Sequence, residues 1–275
     1  MSSSVSELLS SPVSAREFSP EDVLFFQEQG FVVARGLVNS VWLDRMRLVT
    51  REHLERELPP VEFEAEVHYP GAPDSLDAPG GRTVRRLKQA LTRDIVFTEW
   101  VCQLDIVRRL EQLLGGRVVM PLAHHNCIMT KQPEHSSETG WHQDVRYWNF
   151  TRPDLVSCWL ALGTERPENG CLWVIPGSHR GSLERSRLDE ALFVRKDHPE
   201  NQALLDAAIP VALAPGDVLF FHAKTLHSAS KNQTTATKYS VVFTFRGADN
   251  PPIAGTRSAV TGELLLPASE SLSEE

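Results

Sequence analysis

Cysteine is scarce in this chain, four residues in 275. Cys102, Cys127, Cys158 and Cys171 form no C-x-x-C pair and sit in apolar stretches. That spacing argues against a thiolate zinc site or a disulfide framework and points to reduced, mostly buried thiols in a cytoplasmic protein. No apolar run approaches the roughly 20 residues that span a bilayer. Met1 to Ser14 is rich in Ser, but it has neither the basic start and apolar core of a secretory signal nor the Arg enrichment of a transit peptide. Long basic blocks are missing too, and 28 Lys and Arg against 36 Asp and Glu leave a net charge of −8. Nucleic acid is therefore not an expected partner, and the short run Arg82 to Lys88 reads as a solvated face. There is no internal repeat and no sign of an obligate protein partner. A small-molecule substrate is the expected partner.

The length suits one domain of sandwich or barrel size, with residues 17–266 as the folded unit. Residues 1–16 and the acidic 267–275 have little to bury and are expected to be mobile tails. Ser19-Pro20 reads as an N-cap followed by proline at the first helical position, with Gly30 as the stop. Phe31 to Ala34 reads as a short strand. Asn39 to Glu57 and Asp94 to Leu114 have helical periodicity, the latter ending at Gly115-Gly116. The apolar, β-branched stretch Val118 to Lys131, the segment Val211 to His222 with its Pro215-Gly216 turn, and Lys238 to Phe245 read as strands. Short strands between turn signals indicate a mainly β jelly roll with flanking helices. Two long polar excursions, 59–82 and 180–210, are candidates for lids or binding loops.

Chemistry concentrates at His142-Gln143-Asp144. Ten histidines and 36 acids make about one His-x-acid pair expected by chance, so context must raise it. On an extended chain, residues two apart share a face, so a strand would aim His142 and Asp144 at one point with Gln143 turned away. A distal histidine, His227 or its rival His222, can complete two imidazoles and one carboxylate. That set holds iron on one face and leaves the other open to a co-substrate and oxygen. His124 and His125 alternate on the presumed strand, so one of them can point inward as a hydrogen-bonded pocket histidine. Trp141 and Trp148 flank the pair and can wall a pocket, while Arg146 can clamp an anionic substrate group.

In order along the chain stand Lys131-Gln132-Pro133, His142-Gln143-Asp144, Trp159-Leu160-Ala161-Leu162, the long run from Glu168 to His179 (ENGCLWVIPGSH), Pro215-Gly216-Asp217 and Leu226-His227. This text resembles the phytanoyl-CoA dioxygenase family of Fe(II)/2-oxoglutarate oxygenases over roughly Phe18 to Gly247. The resemblance implies a double-stranded β-helix of cupin-like type, with His142, Asp144 and His227 as ligands of Fe(II). It implies 2-oxoglutarate and O2 as co-substrates, ascorbate as reductant in assays, and release of succinate and CO2 as an unactivated C–H bond is hydroxylated. It places the C5 carboxylate of 2-oxoglutarate eleven residues beyond the distal histidine. Lys238 stands there instead of the usual arginine, and Trp159, Lys88 and Asn126 are further candidates for the co-substrate wall. An acyl-CoA or carrier-bound acyl substrate, or a non-catalytic binding protein that keeps the fold, are the alternative readings.

Overall fold

The computed structural model describes residues 17–272; the expected tail 1–16 lies outside the described residues, as do positions 273–275. The helices are α1 (Pro20–Gln29), α2 (Ser40–Glu55), α3 (Ile95–Val101), α4 (Leu104–Leu114), α5 (Gln202–Asp206), α6 (Arg257–Val260) and α7 (Ser269–Leu272). Ser19 and Asp22 cap α1 reciprocally, and Gly30 ends it at φ 82°, a left-handed conformation that costs glycine little. The periodic stretch from Asp94 to Leu114 is two helices rather than one, with a break at Cys102-Gln103. Where the sequence suggested a mobile end, Ser269 opens α7 and its N–H donates to Glu111 Oε1 of α4.

The strands are β1 (Phe31–Ala34), β2 (Val61–Phe63), β3 (Val84–Lys88), β4 (Val118–Pro121), β5 (Asn126–Lys131), β6 (Thr139–His142), β7 (Leu155–Ala161), β8 (Leu172–Val174), β9 (Ile209–Pro210), β10 (Val218–His222), β11 (His227–Ala229), β12 (Lys238–Gly247) and β13 (Glu263–Leu265). They form two antiparallel sheets that do not close into a barrel. The major sheet runs β1-β10-β7-β12-β5-β3-β2, with β4 pairing β12 and β13 pairing β4; the minor sheet runs β6-β11-β8-β9. The single strand expected from Val118 to Lys131 is thus two, and His124 and His125 lie in the turn between them.

Strand alternation sorts the core into two layers. Val156, Cys158 and Leu160 of β7 pack on the helix side with Val241, Phe243 and Phe245 of β12, against Met46 of α2, Phe97 of α3 and Leu110 of α4. The intervening Trp159, Ala161 and Val242 face the minor sheet, where they meet Leu172 and Val174 of β8 and Ala229 of β11. The same alternation puts polar Ser157, Lys238, Ser240 and Thr244 on that inner face, all of them buried. The site lies between the sheets because only there do inward-facing polar side chains meet.

The basic run is a solvated face only at its ends: Arg82 and Lys88 are exposed, but Val84–Lys88 form β3 of the major sheet and Arg85 is 2 % exposed. Its guanidinium donates to Glu64 Oε2 at 3.1 Å, Ser137 Oγ at 2.7 Å and Thr139 Oγ1 at 2.8 Å. It thereby fastens β3 to the start of β6. A lone charge left in that position would lack both water and a counter-ion, which typically costs about 3–5 kcal/mol when one partner of a buried pair is removed. Glu64→Ala is therefore expected to lower folding stability by about 3–5 kcal/mol. Urea unfolding measures it, and a loss below about 1 kcal/mol, as for a surface ion pair, would contradict this reading.

Candidate active site

β6 ends at His142, and antiparallel pairing of β6 with β11 sets His142 directly opposite His227. The two imidazole centroids are 4.2 Å apart. The strand does not extend to Asp144 as the sequence suggested. Gln143 keeps an extended backbone, φ −108° and ψ 140°, which preserves the alternation, and Asp144 then opens a 3-10 turn through Tyr147. The Asp144 N–H donates to the carbonyl of Ala223 at 2.9 Å, and Gln143 turns away to Lys224 O at 2.6 Å. Asp144 Oδ1 lies 3.8 Å from His142 Nε2 and 3.6 Å from His227 Nε2. All three residues are buried, and their ligand atoms lie within 4.8 Å of one another.

The far nitrogen of each ring is held by a carbonyl: His142 Nδ1 by Gly140 O at 2.8 Å, His227 Nδ1 by Thr225 O at 2.9 Å. Because a carbonyl only accepts, Nδ1 carries the hydrogen and Nε2 presents its lone pair to the shared point. Burial pushes both imidazoles below the usual histidine range; for His142 the charges of His227 and Arg146 add to the effect. Burial would raise the Asp144 carboxyl, but the charges of His125 and His227 outweigh it and hold the group well below the usual range. Two neutral imidazoles and one carboxylate converging from one side suit a divalent iron of the facial type.

Two further groups hold the carboxylate. His125 Nε2 lies 3.0 Å from Asp144 Oδ1, and Ser157 Oγ donates to Oδ2 at 3.3 Å. Burial opposes the charged form of His125, yet the adjoining carboxylate raises it to about 9. The inward histidine of the 124/125 pair is thus His125, placed by a turn rather than a strand. His124 bonds Ser258 instead. His222 lies apart with Asp154 and His179, lining a separate cleft beside α1, so His227 is the histidine brought to His142 and Asp144.

An inner chamber between the sheets is lined by His142, His227, Trp159, Lys131, Lys238 and Arg86, among others. Lys238 and Lys131 are direct cross-strand partners of β12 and β5. Like charges opposite each other destabilise a sheet, so each needs relief. Lys238 Nζ donates to Glu165 Oε2 at 3.1 Å and lies 5.0 Å from the centre of the Trp159 ring. Glu165 Oε1 also accepts from Trp159 Nε1 at 2.9 Å and from Ser240 Oγ at 2.6 Å. Among the described residues Lys131 has only carbonyls as hydrogen-bond partners, Ser137 O at 2.8 Å and Ala229 O at 3.4 Å, and burial together with Arg85 and Lys238 pushes its ammonium down to about 7.

An outer chamber of about 450 Å3 meets the inner one at His142 and Arg86 and is lined also by Asp144, Arg146 and Trp148. Lys88 and Asn126 line this outer chamber, not the inner one with Lys238, and Asn126 Oδ1 is already bonded to the Leu91 N–H. Trp141 packs with Ile175, Val194 and Leu226, away from both chambers. Arg146 reaches its wall from the 3-10 turn, not from a continued strand. Both long excursions close over the site: Phe193 packs edge-on against Tyr69 at 5.3 Å and against His142 at 5.6 Å. Sequence reasoning missed Ser157, which period-2 alternation with Trp159 could have found, and Glu165, Arg86 and Arg257, for which no local signal exists.

The chain matches the family model described as phytanoyl-CoA dioxygenase (PhyH) over residues 26–240. The Homo sapiens phytanoyl-CoA dioxygenase, peroxisomal, is 25 % identical over 236 residues, covering 82 % of this chain and 67 % of the relative. Among solved structures, EctD from S. alaskensis with 2-oxoglutarate and 5-hydroxyectoine superposes with a TM-score of 0.72 at 17 % identity, over 93 % of this chain and 87 % of the other. The epimerase SnoN in complex with Fe3+, alpha ketoglutarate and nogalamycin RO gives 0.68 at 18 %, over 90 % and 93 %. Among the described residues, no helix is long and apolar enough to cross a membrane.

Removing one of three protein ligands leaves a facial site that holds iron poorly. His142→Ala and His227→Ala should each abolish stoichiometric Fe(II) retention after desalting, whereas His222→Ala should retain it. Metal analysis of the three purified variants decides. Iron lost from His222→Ala and kept by His227→Ala would reverse the assignment.

Proposed function

This chain belongs to the phytanoyl-CoA dioxygenase family of 2-oxoglutarate-dependent non-haem iron enzymes, and on that premise we propose that it hydroxylates an unactivated C–H bond of a small metabolite. Residues 17–266 are taken as one oxygenase unit, and a cytoplasmic location agrees with the four free thiols. The observation that carries the reading is the meeting of His142, Asp144 and His227 at the wall of a buried chamber in which two lysines lie opposite each other.

His142, Asp144 and His227 would hold Fe(II), which when bound supplies the oxidising chemistry that couples O2 and 2-oxoglutarate decarboxylation to C–H hydroxylation, with release of succinate and CO2. The protein's share is orientation and exclusion of water. Carbonyls at Gly140 and Thr225 fix the tautomers of the two imidazoles, and His125 and Ser157 fix the rotamer of Asp144. The inner chamber would take the co-substrate's chain, with its far carboxylate on Lys238. Lysine offers a compact ammonium in place of the usual guanidinium fork, and Lys131 across the strand pair places a second amino group in the same chamber. Glu165, 3.1 Å from the Lys238 ammonium, holds it at the chamber wall. Trp159 forms part of the chamber wall, and Trp148 and Arg146 line the outer chamber where substrate would enter.

Purified protein given Fe(II), ascorbate, O2 and 2-oxoglutarate should release succinate slowly even without its substrate. Iron bound with neither 2-oxoglutarate binding nor turnover would favour the non-catalytic alternative. Lys238→Ala removes an attraction and leaves Glu165 to repel the incoming carboxylate. 2-Oxoglutarate affinity should fall by on the order of tenfold to a hundredfold, as for a lost charged hydrogen bond. Adding Glu165→Gln to Lys238→Ala should recover part of that loss. Unchanged affinity in Lys238→Ala would move the anchor elsewhere, with Lys131 next to be tested.

A further inference from the structure

Resting on the reading of this site as an oxygenase, we propose that the outer chamber selects a small substrate bearing an oxyanion, a carboxylate or phosphate-type group, held by Arg146, Lys88 and Arg257. Four Lys and Arg side chains line this chamber, Arg86, Lys88, Arg146 and Arg257, together with His125, against two acids, Glu62 and Asp144. Both acids are committed. Glu62 pairs with Arg86 at 3.1 Å, and Asp144 belongs to the metal set and to His125. Among the described residues, Lys88, Arg146 and Arg257 have no carboxylate within ion-pair distance. In a chain of net charge −8, three cations without a carboxylate partner in one chamber are not a general background.

Their placement narrows the ligand. Lys88 comes from β3, Arg146 from the turn after β6 and Arg257 from α6, so the cluster exists only where three separate segments converge on the chamber. The Arg146 guanidinium lies over the Phe193 ring at 4.1 Å and beside Tyr147 at 4.9 Å. Among the described residues it donates only to neutral acceptors, Ala191 O at 3.3 Å and Tyr69 Oη at 3.5 Å. A planar fork held by aromatic rings is oriented before the ligand arrives and suits bidentate binding of an oxyanion. Arg257 has one long contact, to Ala123 O at 3.5 Å, and Lys88 is exposed.

Two other uses of this charge fit less well. The co-substrate's far carboxylate has Lys131 and Lys238 in the inner chamber. A carrier-bound acyl group bears its phosphates at the far end of a long arm, outside a chamber of this size. Here Arg146 stands two residues from Asp144, and both line the outer chamber. The anionic group therefore belongs to the part of the substrate nearest the reacting carbon.

The test uses the full chain loaded with Ni(II) and saturated with N-oxalylglycine, an unreactive analogue of 2-oxoglutarate that occupies the inner chamber. Inorganic phosphate, propionate, propanamide and propylamine are titrated in at constant ionic strength and followed by calorimetry. Phosphate or propionate should bind saturably, while the neutral amide and the amine should not; which anion binds tells phosphate-type from carboxylate recognition. Arg146→Gln should weaken that binding roughly tenfold, with partial recovery in Arg146→Lys. Lys88→Gln and Arg257→Gln, at exposed positions with little role in the fold, should each weaken it severalfold. The proposal is overturned if neither anion binds, if the triple variant binds as well as the parent, or if N-oxalylglycine competes with the anion. Failure of the oxygenase reading shows separately, as absence of Ni(II) or N-oxalylglycine binding; the anion titrations are then run without them and judged on the variants alone.

Discussion

The cross-strand pairing of His142 with His227 is the constraint on which the site depends. A shift of β6 against β11 by one residue would leave the two imidazoles on opposite faces, because side chains alternate with period two. The register is in turn pinned at Asp144, whose N–H bonds Ala223 just beyond β10 and so ties the turn after β6 to the major sheet. The Arg85 network does the same at the other end of β6, through Thr139 and Ser137. The ligand strand is thus fastened at both ends before any metal arrives.

Between the sheets, charge is distributed so that each chamber keeps a distinct character. Glu165 satisfies Lys238 in the inner chamber, and Asp144 is held by His125 and Ser157 at the boundary. Each buried acid therefore has several hydrogen-bonding partners, as an acid out of contact with water requires. The outer chamber is treated differently, because its cations are half-buried or exposed and solvent can stabilise them until a ligand does. Arg86, which lines both chambers, pairs with Glu62 at the boundary. The two excursions complete this arrangement by packing Phe193 of one edge-on against Tyr69 of the other, with Arg146 lying over Phe193.

The local sequence determined what is periodic or punctuated. The cap at Ser19, the stop at Gly30, the strands of β10 and β12 and the His-x-Asp pair are short-range patterns with a physical cause at each position. The metal set was legible for that reason, since two of its members are neighbours and the third sits in a recognisable segment. Choosing His227 over His222 was not a matter of local pattern: both follow apolar residues in one region, and only the pairing of β11 with β6 brings one of them to Asp144.

Tertiary structure alone decided everything that depends on segments far apart in the chain. Glu165 beneath Lys238, Lys131 opposite it and Arg85 buried on Glu64 have no signature within their own stretches, because a charged residue in a strand or loop reads locally as solvated. Their burial follows from the packing of two sheets around polar inner faces, where each charge persists only because a distant partner meets it. The sequence by itself set His142 and Asp144 two residues apart, a spacing that suits metal chemistry; the fold determined which histidine joins them and which charges surround them, because both depend on segments far apart in the chain.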